Sequence, residues 1–227
     1  MQNNLVSQAG QMETNGVPND FVPAMNQVAC IVLGPMIQHG LYPFLNKHRI
    51  AFRPIARITV GFIFVVASMA YAAVVQHLIY QRGPCYDTPL ECAASRGAVP
   101  NQIDVWIQTP IFVLIAFGEI FAYVTGLEYA YAKAPNGMKT IVQAISLLVA
   151  GVGAALGMAI SPVAKDPKLV IMYASVAGIM AITTIGFLIG FRSYDSIDEE
   201  LDSLEVNSNS VETVSEMVVT ADAKLAV

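Results

Sequence analysis

The sequence has few charged residues and few cysteines for its length. Only 13% of the 227 residues are Asp, Glu, Lys or Arg, against 55% hydrophobic residues, and there are three cysteines. The spacings typical of zinc sites, dithiol redox sites, serine hydrolases and nucleotide-binding P-loops are absent. Soluble domains carry about 25% charged residues, so this composition argues against a cytosolic globular enzyme.

A basic surface stripe is also missing. Residues 193–227 hold nine acids and one lysine, a net charge of −8, whereas the rest of the chain carries +3. A nucleic-acid-binding surface needs clustered Lys and Arg to neutralise phosphates. The sequence therefore predicts no nucleic-acid partner, and we expect the acidic tail to be largely disordered.

Long stretches without charge dominate the chain. Four of them contain no Asp, Glu, Lys or Arg, and a fifth is interrupted only by Glu119 and Glu128. A bilayer core about 30 Å thick needs about 20 apolar helical residues to cross it. We therefore predict an all-α membrane protein with five transmembrane helices, named spans A to E. Their predicted bounds are 21–45, 57–80, 103–132, 138–163 and 167–191.

The positive charges near the span ends predict the orientation. Seven Lys and Arg residues lie on one side and four on the other, and the side richer in bases is usually cytoplasmic. This places the C-terminal tail in the cytoplasm and, because five is odd, residue 1 outside. Residues 1–20 lack the basic and apolar regions of a signal peptide. Two explanations stay open: a preceding helix delivers residue 1 to the outer face, or a complete protein inserts through span A.

Glu119 and Glu128 are the acids well inside a predicted span. A carboxylate at that depth costs about 2.5–3.5 kcal/mol on insertion scales, so it needs a cavity or a partner. Glu119 lies about halfway along span C, with Tyr123 and Gly126 on its face by α-helical spacing. We expect Glu119 to be functional, the alternative being a neutral, hydrogen-bonded acid. Glu128 falls on the opposite side of the helix, where we expect a structural or gating ion pair with Lys133.

The other polar and small residues of the spans predict helix packing. Hydrogen bonds between helices are the expected role of Asn26, Gln38, His39 and His77. Gly153 and Gly157 form a GxxxG pair in span D, a spacing that lets two helices approach closely.

The cysteines fall into two groups. Cys85 and Cys92 lie in the predicted external loop between spans B and C, where an oxidising compartment permits a disulfide and Pro89 favours a turn. Cys30 lies within span A, where we interpret it as a small apolar filler.

Several segments resemble a known family. The run GEIFAYVTGLEYAYAKAPNGMKTIVQA, residues 118–144, resembles the tenth and eleventh helices of the proton-dependent oligopeptide transporters, which are members of the major facilitator superfamily. Four further motifs resemble fungal di- and tripeptide permeases, in order and with matching spacing. They are NNLVSQAGQM (3–12), LYPFL (41–45), FRPIARITVGF (52–62) and GPC (83–85).

The resemblance implies a fold and a domain plan. Spans A to E correspond to helices eight to twelve of a twelve-helix bundle, which is the C-terminal part of a major facilitator superfamily bundle. Residues 1–20 then comprise the end of helix seven and an external linker. Residues 21–192 form the five-helix transmembrane region, and residues 193–227 form the cytoplasmic tail.

The resemblance also implies a function, which is proton-coupled uptake of di- and tripeptides. Protons are the expected coupling ion. No other cofactor and no enzymatic activity are expected. The expected partners are small peptides, the lipid bilayer of the plasma membrane and the missing N-terminal half of the same transporter. Without that half we do not expect this C-terminal fragment to transport. The alternative is a five-helix membrane scaffold or interaction protein without transport activity.

The resemblance assigns the substrate-binding residues one by one. Glu119 and Asn26 match family residues that line the central cavity and receive the amino terminus of the peptide. Tyr123, one helical turn after Glu119, stands where the family often has a small hydroxyl residue and completes the predicted substrate-binding set.

The predicted orientation leads to a labelling test on Cys85 and Cys92. A membrane-impermeant maleimide added to intact cells is expected to label these cysteines only after reduction, because the bridged pair faces outside. Labelling only from the cytosolic side would overturn the orientation of all five spans.

Overall fold

The computed structural model describes residues 2–14, 16–18, 21–48, 52–89, 92, 99–135, 137–160 and 166–191. The chain divides into two compact units, Met1–Ile185 and Gly186–Val227. In the second unit the description covers residues 186–191, where the rings of Phe187 and Phe191 stack with centroids 4.8 Å apart. The predicted disordered tail, 193–227, lies outside the described residues.

Helices make up most of the described chain. The α-helices are α1 (Gln2–Ala9), α2 (Phe21–Met36), α3 (Tyr42–Lys47), α4 (Pro54–Tyr80), α5 (Thr109–Gly118), α6 (Thr125–Lys133), α7 (Lys139–Ile160) and α8 (Leu169–Phe191). A 3-10 turn, Val105–Gln108, precedes α5. Two short strands, β1 (Met12–Glu13) and β2 (Asn101–Asp104), pair in parallel. This pairing brings the end of the loop between spans B and C against the segment that follows α1.

Five helical segments of the described chain are long and apolar enough to cross a membrane, as predicted. They are Phe21–Leu45, Pro54–Tyr80, Val105–Lys133, Lys139–Ala159 and Leu169–Phe191, which we identify with spans A to E. The predicted bounds hold to within a few residues. Span B begins earlier than predicted, at Pro54, because proline suits the first turn of a helix, where its missing N–H costs no hydrogen bond.

Two π-helical turns interrupt the α-helical geometry of spans A and C. They cover Ile37–Leu41 and Glu119–Val124. A π-helix joins residues five apart, so each turn is wider than an α-helical turn. Thr125 Oγ1 donates to the carbonyl oxygen of Ile120, five residues earlier, at 3.4 Å. The absence of charge predicted the spans but carried no signal for these turns.

Spans B and C cross closely at two glycines that the sequence analysis did not single out. A Cβ built on Gly61 would lie 2.8 Å from the Cβ of Ala122, and one built on Gly118 would lie 3.2 Å from the carbonyl oxygen of Gly61. The ring of Phe64 stacks against those of Phe117 and Phe121 beside this crossing, with centroids 5.2 and 6.2 Å apart. The two backbones therefore approach because neither glycine has a side chain.

No helix of the described chain packs against the glycines of span D, so their predicted packing role stays a prediction. A Cβ built on Gly153 or Gly157 meets no atom within 4 Å. None of the residues in the most apolar window of this span is buried. The GxxxG spacing permits close packing but does not select a partner, and the close approach occurs at Gly61 and Gly118 instead.

A continuous row of side-chain hydrogen bonds joins α1 to spans B and C and to the segment before span E. Gln108 Nε2 donates to Gln8 Oε1 (2.9 Å), Gln8 Nε2 to Gln76 Oε1 (2.9 Å), Gln76 Nε2 to Gln11 Oε1 (2.8 Å) and Gln11 Nε2 to Asp166 Oδ2 (2.8 Å). The hydroxyl of Tyr80 donates to the other oxygen of Asp166. Buried amides need such partners, because an unmade hydrogen bond costs about 1–3 kcal/mol.

Apolar contacts complete the attachment of α1. Leu5 and Ala9 have no exposed surface and Met12 is 1% exposed. All three belong to one buried cluster with residues of spans B and C, among them Met69 and Phe112. The segment 2–12 is therefore an integral part of the core.

The predicted disulfide is confirmed. Cys85 and Cys92 are bridged, with an S–S distance of 1.99 Å and Cα atoms 5.4 Å apart. Asn101 also anchors this loop, since its side chain donates to the carbonyl oxygens of Ile79 and Tyr86.

The close crossing leads to a stability prediction. Gly61→Ala is expected to lower the free energy of unfolding by about 1–3 kcal/mol, the range for overpacking, because its Cβ would meet backbone atoms of span C. Gly118→Ala is expected to lower the free energy of unfolding by less. The closest atom to a Cβ at this position, 2.5 Å away, is Cγ2 of the Val65 side chain. The thermal unfolding midpoint of the purified protein in detergent measures both effects.

Gly178→Ala provides the matched control, because a Cβ there meets no atom within 4 Å. It is expected to leave the midpoint unchanged or raise it, since alanine is favoured over glycine in helices by about 1 kcal/mol. Equal midpoints for all three variants would contradict the close crossing.

Candidate functional site

A cavity of about 240 Å³ lies between spans A and C. It is lined by Cys30, Gly34, Ile37, Gln38 and Tyr42 of span A and by Glu119, Ile120, Val124, Thr125 and Glu128 of span C. Among these residues are two carboxylates and no Lys, Arg or His. The charges that line the described cavity are therefore all negative.

Glu119 is held by two donors from span A. Asn26 Nδ2 donates to Glu119 Oε2 at 3.0 Å, and Cys30 Sγ donates to the same oxygen at 3.5 Å. Asn26 and Cys30 are four residues apart on one α-helix, so their side chains lie on one face and reach the same carboxylate. The structure thus brings together two of the three predicted substrate-binding residues, Glu119 and Asn26.

Two acceptor atoms at this contact are left over. Among the described residues, no side chain donates to Glu119 Oε1. Asn26 has no exposed surface, and its Oδ1 is buried without a hydrogen-bond partner. Oδ1 belongs to the amide whose Nδ2 bonds Glu119, but Asn26 is not among the residues that line the cavity. Glu119 does line the cavity, so its Oε1 is the acceptor suited to a ligand that donates hydrogen bonds.

Cys30 is not the apolar filler that the sequence analysis expected. Its side chain is half-buried, lines the cavity and donates to Glu119. The signal that could have found it is its spacing, since Cys30 follows Asn26 by four residues on a helix that faces span C.

Tyr123 lies in a different cavity from Glu119. It lines an apolar space of about 520 Å³ together with Gly126 and residues of spans B and D, among them Phe62 and Ser146. Its side chain is 54% exposed. The expectation that Tyr123 and Gly126 share the face of Glu119 is therefore wrong. The reason is the π-helical turn that begins at Glu119, which changes the angular spacing along span C.

The same turn moves Glu128 to an unexpected position. α-Helical spacing placed it opposite Glu119, yet it lines the same cavity. Its side chain is exposed. The ion pair expected for Glu128 stays a prediction. The additional residue in the π-helical turn rotates the part of span C that follows the turn, so that Glu128 faces span A.

Comparison with known proteins identifies the family. Residues 1–177 match the family described as PTR2, POT family. The chain belongs to the POT family. The resemblance of residues 118–144 and of the other motifs to this family is thereby confirmed.

POT-family relatives carry names that describe their transport. The chain is 51% identical over 199 residues to the peptide transporter imqD of Aspergillus flavus, covering 87% of this chain and 49% of that protein. It is 47% identical over 213 residues to the probable peptide transporter ptr2 of Schizosaccharomyces pombe, covering 94% of this chain and 34% of that protein. The chain thus spans half or less of the length of these relatives.

A solved structure of the same family supports the fold. The chain aligns with the crystal structure of the POT family transporter PepTSo with a TM-score of 0.69, at 20% identity, over 85% of this chain and 37% of that one. The five spans are thus the C-terminal part of a major facilitator superfamily bundle in an integral membrane protein.

Proposed function

We propose that this chain is the C-terminal part of a transporter that takes up di- and tripeptides together with protons. The relatives that cover most of the chain are named peptide transporters, which supports peptides as the substrate class. The observation that carries the proposal is the Glu119 carboxylate in the wall of a cavity whose described charges are negative, with Asn26 and Cys30 both donating to its Oε2.

The Glu119 carboxylate suits the amino terminus of a peptide. An ammonium group has three N–H donors and no acceptor. Glu119 Oε1 supplies a charged acceptor, while Asn26 and Cys30 already donate to Oε2. A carboxyl or phosphate group would instead meet negative charge at this site. The site therefore selects a cationic group.

Proton coupling follows from the same carboxylate in this proposal. Glu119 holds an ammonium group when charged and a proton when the peptide has left, so that binding and release alternate with protonation. Protons are then the coupling ion and no further cofactor is required. The substrate site lies between the two halves of a bundle, as in other alternating-access transporters, and the N-terminal half is the partner that supplies the opposite wall.

The location follows from the distribution of charge. Lys and Arg are more frequent near the span ends that adjoin the acidic tail, which supports a cytoplasmic C-terminus. We place the transporter in the plasma membrane, where peptides are taken up from outside the cell.

The first test removes the charge of Glu119 in the full-length transporter. Glu119→Gln keeps the shape of the side chain but loses the ionic attraction, so peptide affinity is expected to fall by about 1.5–3 kcal/mol, the range for hydrogen bonds to charged groups. Competition with a radiolabelled dipeptide in uptake assays measures the change. Peptides with an acetylated amino terminus are expected to bind the wild type weakly. Their affinity is therefore expected to fall little in Glu119→Gln.

Glu128→Gln is the matched control for this test, because it removes a charge from the same span and the same cavity. It is expected to leave the preference for a free amino terminus intact. If Glu119→Gln lowered the affinity for free and for acetylated peptides equally, this residue would not recognise the amino group. Correct insertion with no uptake of any peptide by the full-length protein would favour the membrane scaffold instead.

The second test concerns Tyr123, which we propose contacts an apolar part of the peptide. The cavity around Tyr123 is lined mostly by apolar side chains, so Tyr123→Ala is expected to raise the KM for peptides with large apolar side chains and not for glycylglycine. Tyr123→Phe keeps the ring and is expected to match the wild type. A uniform loss of uptake for all peptides in Tyr123→Ala would contradict a role in side-chain selection.

A further inference from the structure

The thiol of Cys30 occupies a position that the proposed function does not use. The chain has three cysteines, of which Cys85 and Cys92 are bridged. Cys30 is thus its single free thiol. It lies in the wall of the Glu119 cavity, half-buried, and it is the second donor to Glu119 Oε2.

Two donors restrain a carboxylate more than one donor does. The terminal torsion of a glutamate side chain is broad, so a single hydrogen bond from Asn26 leaves the carboxylate plane of Glu119 free to turn about that bond. Cys30 donates to the same oxygen from one helical turn further along span A, at 3.5 Å against 3.0 Å for Asn26. The two donors together define the plane and hence the direction of Oε1.

The position of Glu119 shows why this direction matters. Glu119 lines the cavity and no described side chain donates to its Oε1, so a ligand donor can use this oxygen only if it points into the cavity. Binding is strengthened when groups are already oriented before the ligand arrives. A carboxylate that turned freely would lose part of that advantage.

We propose that Cys30 is a positioning residue of the Glu119 site, whose thiol orients the carboxylate toward the bound ammonium group. This inference rests on the proposed function, since it assigns Cys30 a part in binding at the same site. The thiol faces the cavity, so a bound peptide covers it. Cys30 therefore also reports whether the site is occupied.

The first experiment separates positioning from packing in the full-length transporter. Cys30→Ala removes the donor and is expected to raise the KM for peptides with a free amino terminus roughly two- to fivefold, the lower part of the range for a hydrogen bond because a thiol is a weak donor. Cys30→Ser keeps a donor and is expected to restore the wild-type KM. The kcat and the amount of protein in the membrane are expected to stay unchanged in both variants.

A double-mutant cycle gives the decisive readout. If Cys30 acts through Glu119, Cys30→Ala in a Glu119→Gln background is expected to cause no further rise in KM, because coupled residues are not additive. The same rise in both backgrounds, or a Cys30→Ser variant as impaired as Cys30→Ala, would overturn the positioning role and indicate packing.

The second experiment labels the thiol with a methanethiosulfonate reagent. The Cys30 sulfur forms a disulfide with the sulfenyl sulfur of the reagent, the S–S bond of the reagent breaks, the sulfinate leaves with the electron pair, and the thiol proton goes to water. Labelling is measured in a full-length protein whose other free cysteines are serine, with Cys30→Ala as the blank. We expect saturating dipeptide to slow labelling severalfold and acetylated dipeptide to have little effect.

The outcomes distinguish this inference from the proposed function. Normal binding of free-amino peptides by Glu119→Gln would refute the proposed function whatever Cys30 does. Impaired binding by Glu119→Gln, with normal KM in Cys30→Ala or with labelling that is insensitive to peptide, would refute the role of Cys30 alone.

Discussion

A carboxylate halfway along an apolar helix must be solvated by the protein itself, and much of this structure follows from that requirement. The cost of burying it is several kcal/mol without partners, and span A meets it with two donors at one oxygen of Glu119. Donors can reach so deep only if spans A and C pack closely at this level. Asn26, which looked like an isolated hydrogen-bonding group, is therefore explained by a single acid on the neighbouring helix.

The close crossing on the other side of span C serves the same arrangement. Gly118 immediately precedes Glu119 and lies against Gly61 of span B, so the backbone of span C is fixed at the residue before the acid. The π-helical turn begins at the next position. One short stretch thus combines a tight contact with span B, a hydrogen-bonded acid facing span A and a change of helical register.

Sequence reasoning predicted the coarse structure well, because the cost of placing charge in a bilayer strongly depletes the spans of charged residues. The five spans appear as stretches free of charge, and Glu119 stands out as an exception within one of them. The disulfide between Cys85 and Cys92 was also predictable from its place in a loop. Each of these features is local in the chain.

The features that sequence reasoning missed depend on the helix face on which each side chain lies and on the neighbouring helix that it meets. Tyr123 and Glu128 were assigned to faces of a regular α-helix, and one π-helical turn was enough to move both to other surroundings. Cys30 looked apolar because nothing in its neighbours along the chain indicates an acid opposite. The glycines of span D carry the spacing typical of close packing, whereas Gly61 and Gly118 carry no such pattern and make the contact.

The hydrogen bonds in the row of glutamines that ends at Asp166 all run in the same direction. Every amide in it donates toward Asp166, and an ionised carboxylate can only accept. The amide dipoles of Gln108, Gln8, Gln76 and Gln11 therefore point the same way, and each polarises the next. The first member, Gln108, is left with a buried carbonyl oxygen that no described residue satisfies. An asparagine in place of Asp166 could donate as well as accept, so the row could then run in either sense and this polarity would be lost.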